Sequence, residues 1–277
     1  MQKLFRFVLF HHIIIALCAA ALCVQTKLFY SLFEYPLTLI AFVFFATLLS
    51  YNAHFSFAAA KSNASEQLQW FNETKRFTLV LNSLSLLATL WFWWKIRSIN
   101  THIVLSIIFN AAYTAPLLLR KPIKLPSFLT FIKSYFIGFV WAYATVVLPL
   151  AFFEVEPNLN EVFLFISRLL LVAIATMIFD YRDRLRDFEM GVHTPANIMN
   201  EQQFQLFFIV NVVLYSFSVV FLAIRFETYL HLLQLIPGVV AIYLLRISKR
   251  QNSDYFYLGW VDGLLILSSL LSLFLLY

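Results

Sequence analysis

Charge is what this sequence has least of. Asp, Glu, Lys and Arg make up 12% of its 277 residues, half the ~25% typical of a soluble domain. With 62% hydrophobic residues and a mean hydropathy of +0.81, that scarcity excludes an ordinary soluble globule. It predicts an all-α polytopic membrane bundle, because helices satisfy their own backbone groups in lipid. Glycine is also scarce, at 5 residues. No inverted repeat and no pair of Gly- or Pro-broken runs is visible, which argues against a transporter. Cysteine is confined to Cys18 and Cys23 in the first apolar run. That excludes a disulfide framework and a thiolate metal site, and both read as apolar filler. No linker or low-complexity stretch divides the chain, so 1–277 reads as one domain. Lys3 and Arg6 precede the first run, yet His11 and His12 inside it and the many runs that follow argue against a cleaved signal peptide.

What is there is a succession of apolar runs. Nine are close to the ~20 residues that a helix needs to cross a bilayer: 7–27, 33–51, 77–96, 100–119, 128–153, 159–180, 203–224, 228–247 and 256–277. The net charge of +6 is spread in small basic groups between them, the pattern of membrane loops rather than of nucleic-acid binding. With the N-terminus in the cytoplasm, the inner loops carry Lys3, Arg6, Lys61, Lys75, Arg76, Arg120, Lys121, Lys124, Arg182, Arg184, Arg186, Arg246, Lys249 and Arg250. The outer side carries only Lys27, Lys95, Arg97 and Arg225. The positive-inside rule therefore puts the C-terminus outside. Trp91, Trp93 and Trp94 read as an outer interfacial belt. Asn63 and Asn72 match glycosylation sequons but fall in an inner loop, where the sequon has no meaning.

Ionisable residues within the runs predict a polar cavity, since such groups rarely face lipid. His11, His12, Lys133 and Asp262 lie in inner halves, and Arg168 lies near the middle of its run. For Asp262 the alternative is an intramembrane pair with Lys133 or Arg168.

The most charged stretch is 179–200, FDYRDRLRDFEMGVHTPANIMN. On a helix, Asp180, Asp183 and Asp187 at i, i+3 and i+7 share one face. Three like charges there call for a cation, and a hard divalent ion with oxygen ligands suits them. The competing reading is local pairing, Asp180 with Arg184 and Asp183 with Arg186. Gly191 offers a stop, with Pro195 beyond it.

These features together resemble the UbiA-type membrane prenyltransferases, nine-helix proteins that move a polyprenyl group from its diphosphate to an acceptor. The resemblance rests on Asp180-Tyr-Arg-Asp183-Arg-Leu-Arg-Asp187 in the loop after helix six, followed by Gly191 and Thr194, and on Tyr113 with the basic pair Arg120-Lys121 after helix four. It covers essentially the whole chain. It implies that Asp183 and Asp187, supported by Asp180, hold Mg²⁺. It also implies that Tyr113 and Asn52 line the pocket, and that Arg120 and Lys121 contact diphosphate. Lys133 and Asp262 are further candidates for the substrate site. One departure stands out. Where the family's first motif runs Asn-x3-Asp-x3-Asp, this chain has Asn52, Ser56 and Ala60. The first metal of the usual pair lacks its carboxylates, and Arg120, Lys121 and Lys133 are the residues able to replace part of its charge. The expected function is Mg²⁺-assisted prenyl transfer at a bacterial inner membrane, from a prenyl diphosphate to an acceptor. The alternative is a member that binds an isoprenoid or lipid without turnover.

Overall fold

The computed structural model describes residues 2–30, 37–59, 65–118, 132–156, 158–189 and 191–276, apart from the side chains of 2, 3, 113–118, 275 and 276. Among them every regular element is helical. The helices are α1 Gln2–Phe10, α2 Ile13–Phe29, α3 Leu37–Ala59, α4 Glu66–Glu73, α5 Lys75–Lys95, α6 Asn100–Leu118, α7 Ile132–Phe152, α8 Leu159–Glu189, α9 Pro195–Ile198, α10 Glu201–Arg225, α11 Tyr229–Ser248 and α12 Asp254–Phe274. Seven of these (α3, α5, α7, α8, α10, α11 and α12) are long and apolar enough to cross a membrane, or eight spans if α1 and α2 count as one.

The first span is not the straight run 7–27 that the sequence suggests. It bends by 62° between α1 and α2. His12 takes φ 59°, a left-handed conformation that interrupts the helix. A break at membrane depth frees carbonyls that must find donors. Asn52 Nδ2 donates to His11 O at 3.0 Å and Gln67 Nε2 donates to Phe10 O at 3.2 Å. His12 completes the lock. Its Nδ1–H donates to Asn52 Oδ1 at 3.3 Å, and its Nε2 accepts from Gln67 Nε2 at 2.9 Å.

Burial follows membrane logic. α5 buries only Thr78 and Ser85, while Leu79, Leu87, Trp91 and Trp94 are exposed. In lipid the apolar side chains belong outside and small or polar ones fit the helix contacts. The exposed Trp91 and Trp94 lie under Lys95 and Arg97, with the cations 5.1 and 4.6 Å from the ring centroids. That arrangement suits an interfacial belt. α8 is the opposite case, buried along most of its length from Leu164 to Tyr181. It packs on α7 closely enough that a Cβ on Gly138 would strike Leu169 O.

Near the middle of α8, Arg168 is buried without a carboxylate partner among the described residues. Its Nη1 donates to Leu22 O and Thr145 Oγ1, both at 3.1 Å, and its Nη2 donates to Gln25 Oε1 at 2.5 Å. Gln25 Nε2 in turn donates to Ser272 Oγ at 2.7 Å and to Gln234 Oε1 at 3.1 Å. A cavity of about 10 Å³ adjoins this network, room for about one water and too small for an isoprenoid chain. Arg168→Met leaves the Gln25 and Thr145 acceptors short of donors. It is expected to lower stability by about 2–4 kcal/mol, read as an earlier thermal transition of the purified protein in detergent.

Candidate functional site

α8 has 31 residues, about 46 Å at 1.5 Å per residue and longer than the ~30 Å hydrocarbon core. It has about three turns more than a perpendicular crossing needs, and its last three turns carry all three aspartates. The sequence reading ended this span at 180 and placed the motif in a loop. The helix instead continues to Glu189 without a break. Gly191, at φ 72°, stops it. Val192 N donates to Asp187 O at 2.8 Å and Gly191 N to Phe188 O at 3.0 Å, the hydrogen bonds of a left-handed helix cap.

Helical geometry then sorts the carboxylates. Seven residues are nearly two full turns, so Asp180 and Asp187 point within about 20° of each other, whereas Asp183 is rotated about 60° from Asp180. Asp180 and Asp187 face α7. Lys133 Nζ lies 2.8 Å from Asp180 Oδ1 and 3.5 Å from Asp187 Oδ2. Ser134 Oγ donates to the other Asp180 oxygen at 2.8 Å. Both carboxylates are buried, but the Lys133 side chain stays 33% exposed.

Asp183 belongs to a second cluster. Arg182 grips it with two hydrogen bonds, Nε to Oδ1 at 2.8 Å and Nη2 to Oδ2 at 3.1 Å. Arg186 Nη2 is 2.9 Å from the same Oδ2. Arg182 Nη1 also donates to Asp254 Oδ1 at 3.2 Å, at the start of α12, and Gln67 N donates to Asp254 Oδ2 at 3.1 Å. The Arg182 guanidinium lies over the Tyr257 ring, 4.5 Å from its centroid. Arg182 and Asp254 together thus tie α4, α8 and α12 to one another.

The pairing alternative is realised in part. Asp183 and Arg186 do pair at i, i+3. Arg184 instead donates to Tyr181 O at 2.6 Å and stacks on the Tyr181 ring, while Asp180 is taken by Lys133.

The other candidates divide. Lys133 joins the aspartates. Asn52 is fully buried and held by the α1–α2 break, so it lines no open space. Ser56 Oγ donates back to Asn52 O at 2.6 Å. Asp262 follows a π-helical turn, Tyr257–Val261, and is buried. Its main-chain O accepts from Cys18 Sγ at 3.4 Å. Among the described residues no ion pair joins it to Lys133 or Arg168. Arg120, Lys121 and Ala60 lie outside the described residues, as does the side chain of Tyr113.

Asp254 and Ser134 went unnoticed in the sequence. Ser253-Asp254 before an apolar run is a helix-start signal and marks Asp254 as a helix terminus. Nothing local points to Ser134.

No protein-family model matches the sequence, and no curated protein matches it. Among solved structures, a digeranylgeranylglyceryl phosphate synthase in membranes superposes with a TM-score of 0.57 at 17% identity, over 99% of this chain and 98% of that one. The fold implied by the resemblance to UbiA-type prenyltransferases is thus the fold found, and this chain shares it from end to end with that membrane synthase.

Proposed function

We propose that this protein is a UbiA-like intramembrane prenyltransferase of nine spans, N-terminus in the cytoplasm and C-terminus outside, at a bacterial inner membrane. The observation that carries this reading is one coincidence. The whole-chain fold of a membrane synthase whose named product bears geranylgeranyl chains occurs together with a charged cluster on the α8 extension. The substrate is a prenyl diphosphate, its chain among the Phe-rich helices and its diphosphate at the inner face.

In the reaction the allylic C–O bond breaks, and its electron pair leaves with the diphosphate oxygen. The acceptor's lone pair forms the new bond to carbon, and the acceptor's proton is released. Charge developing on the leaving oxygen needs fixed positive groups aimed at it. Lys133, exposed while held by two aspartates, is one such group. Arg120 and Lys121 are assigned the same role on the strength of the resemblance. Asp180, Asp183 and Asp187 hold cations in place.

The resemblance implies Mg²⁺ on those three carboxylates, and as arranged they do not fit it. Both oxygens of Asp180 and of Asp183 are engaged by this chain's own donors, and Asp187 shares Lys133. Among the described residues no group of three acids, histidines or cysteines is arranged to hold a metal.

A second reading has its own support. The engagement of every motif carboxylate, with Asn52 and Ser56 absorbed into packing, also suits a protein that binds an isoprenoid without turnover. Pyrophosphate release separates the two, measured in lipid nanodiscs with farnesyl and geranylgeranyl diphosphate, with and without Mg²⁺. Release is the expected result. Binding of the prenyl diphosphate with no release, whatever chain or acceptor is offered, establishes the second reading instead.

A further inference from the structure

The disagreement between the acidic motif and a metal site has a geometric cause. The two carboxylates that a seven-residue spacing aligns on α8 are the two that Lys133 reaches, at 2.8 and 3.5 Å. Ser134 occupies the remaining oxygen of Asp180. On α3, the two described residues at the positions of the family's first motif are also engaged within the protein. Asn52 is turned into the α1–α2 break, and the Ser56 hydroxyl is bonded to its own helix.

We propose that Lys133 is a built-in cation. Its ammonium sits between Asp180 and Asp187 where a divalent ion would otherwise lie, so the site meets a diphosphate with fixed positive groups and has no divalent-cation site of its own among the described residues. The diphosphate part of this statement rests on the function proposed above; the cation part rests on the ion pairs alone. An ammonium held by two carboxylates, its side chain a third exposed, can hold its aspartates and still turn positive charge toward a phosphate oxygen. Lysine does this as a compact charge with rotatable donors, which a planar guanidinium does not match. A second positive charge entering the same space meets Coulomb repulsion at a few ångströms in a partly buried setting, where it is strong.

The test is Mn²⁺ uptake by the full-length protein in nanodiscs, read from the spin-resonance signal of free Mn²⁺. Wild type, Lys133→Met, Lys133→Arg, Asp187→Asn and the Lys133→Met/Asp187→Asn double variant are compared. Wild type and Lys133→Arg are expected to show no saturable site. Lys133→Met is expected to gain one, tighter by on the order of 100-fold than any residual wild-type binding, and the double variant to lose it again. Saturable uptake by wild type that Asp187→Asn abolishes overturns the proposal. So does a Lys133→Met protein of native melting behaviour that gains no site. Should Lys133→Met fail to fold, wild type against Asp187→Asn still decides. The readout is metal uptake, so the absence of any transferase activity would sink the function proposed above without touching this result.

Discussion

Gly138→Ala is expected to cost about 3 kcal/mol or more, an unusually large effect for one added methyl group. The new Cβ meets Leu169 O in direct clash, with Leu169 C and Cα at 3.1 and 3.3 Å. All three are backbone atoms of α8, so no rotamer change relieves the overlap and the helices must part. Overpacking a dense interior usually costs about 1–3 kcal/mol, and a rigid backbone on the far side puts this case at the upper end. Small residues at such crossings are how membrane helices approach closely. The consequence reaches the site, because Gly138 lies just over one turn from Ser134 and Lys133 on α7. Spreading α7 from α8 lengthens the Lys133–Asp180 contact. Thermal unfolding in detergent reads the stability loss. Gly263→Ala serves as the control. A Cβ there meets nothing within 4 Å, and the change to alanine favours a helix by up to ~1 kcal/mol.

The second large effect is on chemistry. Lys133→Met is expected to lower pyrophosphate release by on the order of 10²–10³, the usual consequence of removing one positioned donor from a developing oxyanion. Lys133→Arg should retain part of the rate, because it keeps the charge but not the compact geometry. The informative observation is the response to Mg²⁺. Wild-type activity is expected to be insensitive to added Mg²⁺ or to chelator, whereas Lys133→Met is expected to recover activity as Mg²⁺ is raised, since the vacated carboxylates then accept it. A lysine that merely propped two helices apart would give loss without recovery. Initial-rate measurements across a Mg²⁺ series check this.

Much of the architecture is legible in the sequence. Long apolar runs at low charge demand membrane helices, and the seven-residue spacing of Asp180 and Asp187 puts both on one side of any helix. The stop at Gly191 was legible for the same reason, since a left-handed residue is needed there and glycine takes it without strain. The end of α8 was not, because a hydropathy window loses the helix where Asp and Arg begin. Nor was the bend at His11-His12 visible. It depends on Asn52 and Gln67 arriving to satisfy the freed carbonyls, and those residues lie 41 and 57 positions away from the groups they bond.

The sequence by itself determined the helical membrane bundle and which acids share one side of α8, because these follow from composition and from short-range periodicity. Only the tertiary structure decided what those acids hold. Lys133 precedes Asp180 by 47 residues, and Asp254 follows Arg182 by 72. No local pattern links such positions. Whether a carboxylate binds a metal, a lysine or an arginine is set by what packing brings within a few ångströms of it, where Coulomb energy in a partly dry interior outweighs any preference written into the neighbouring residues.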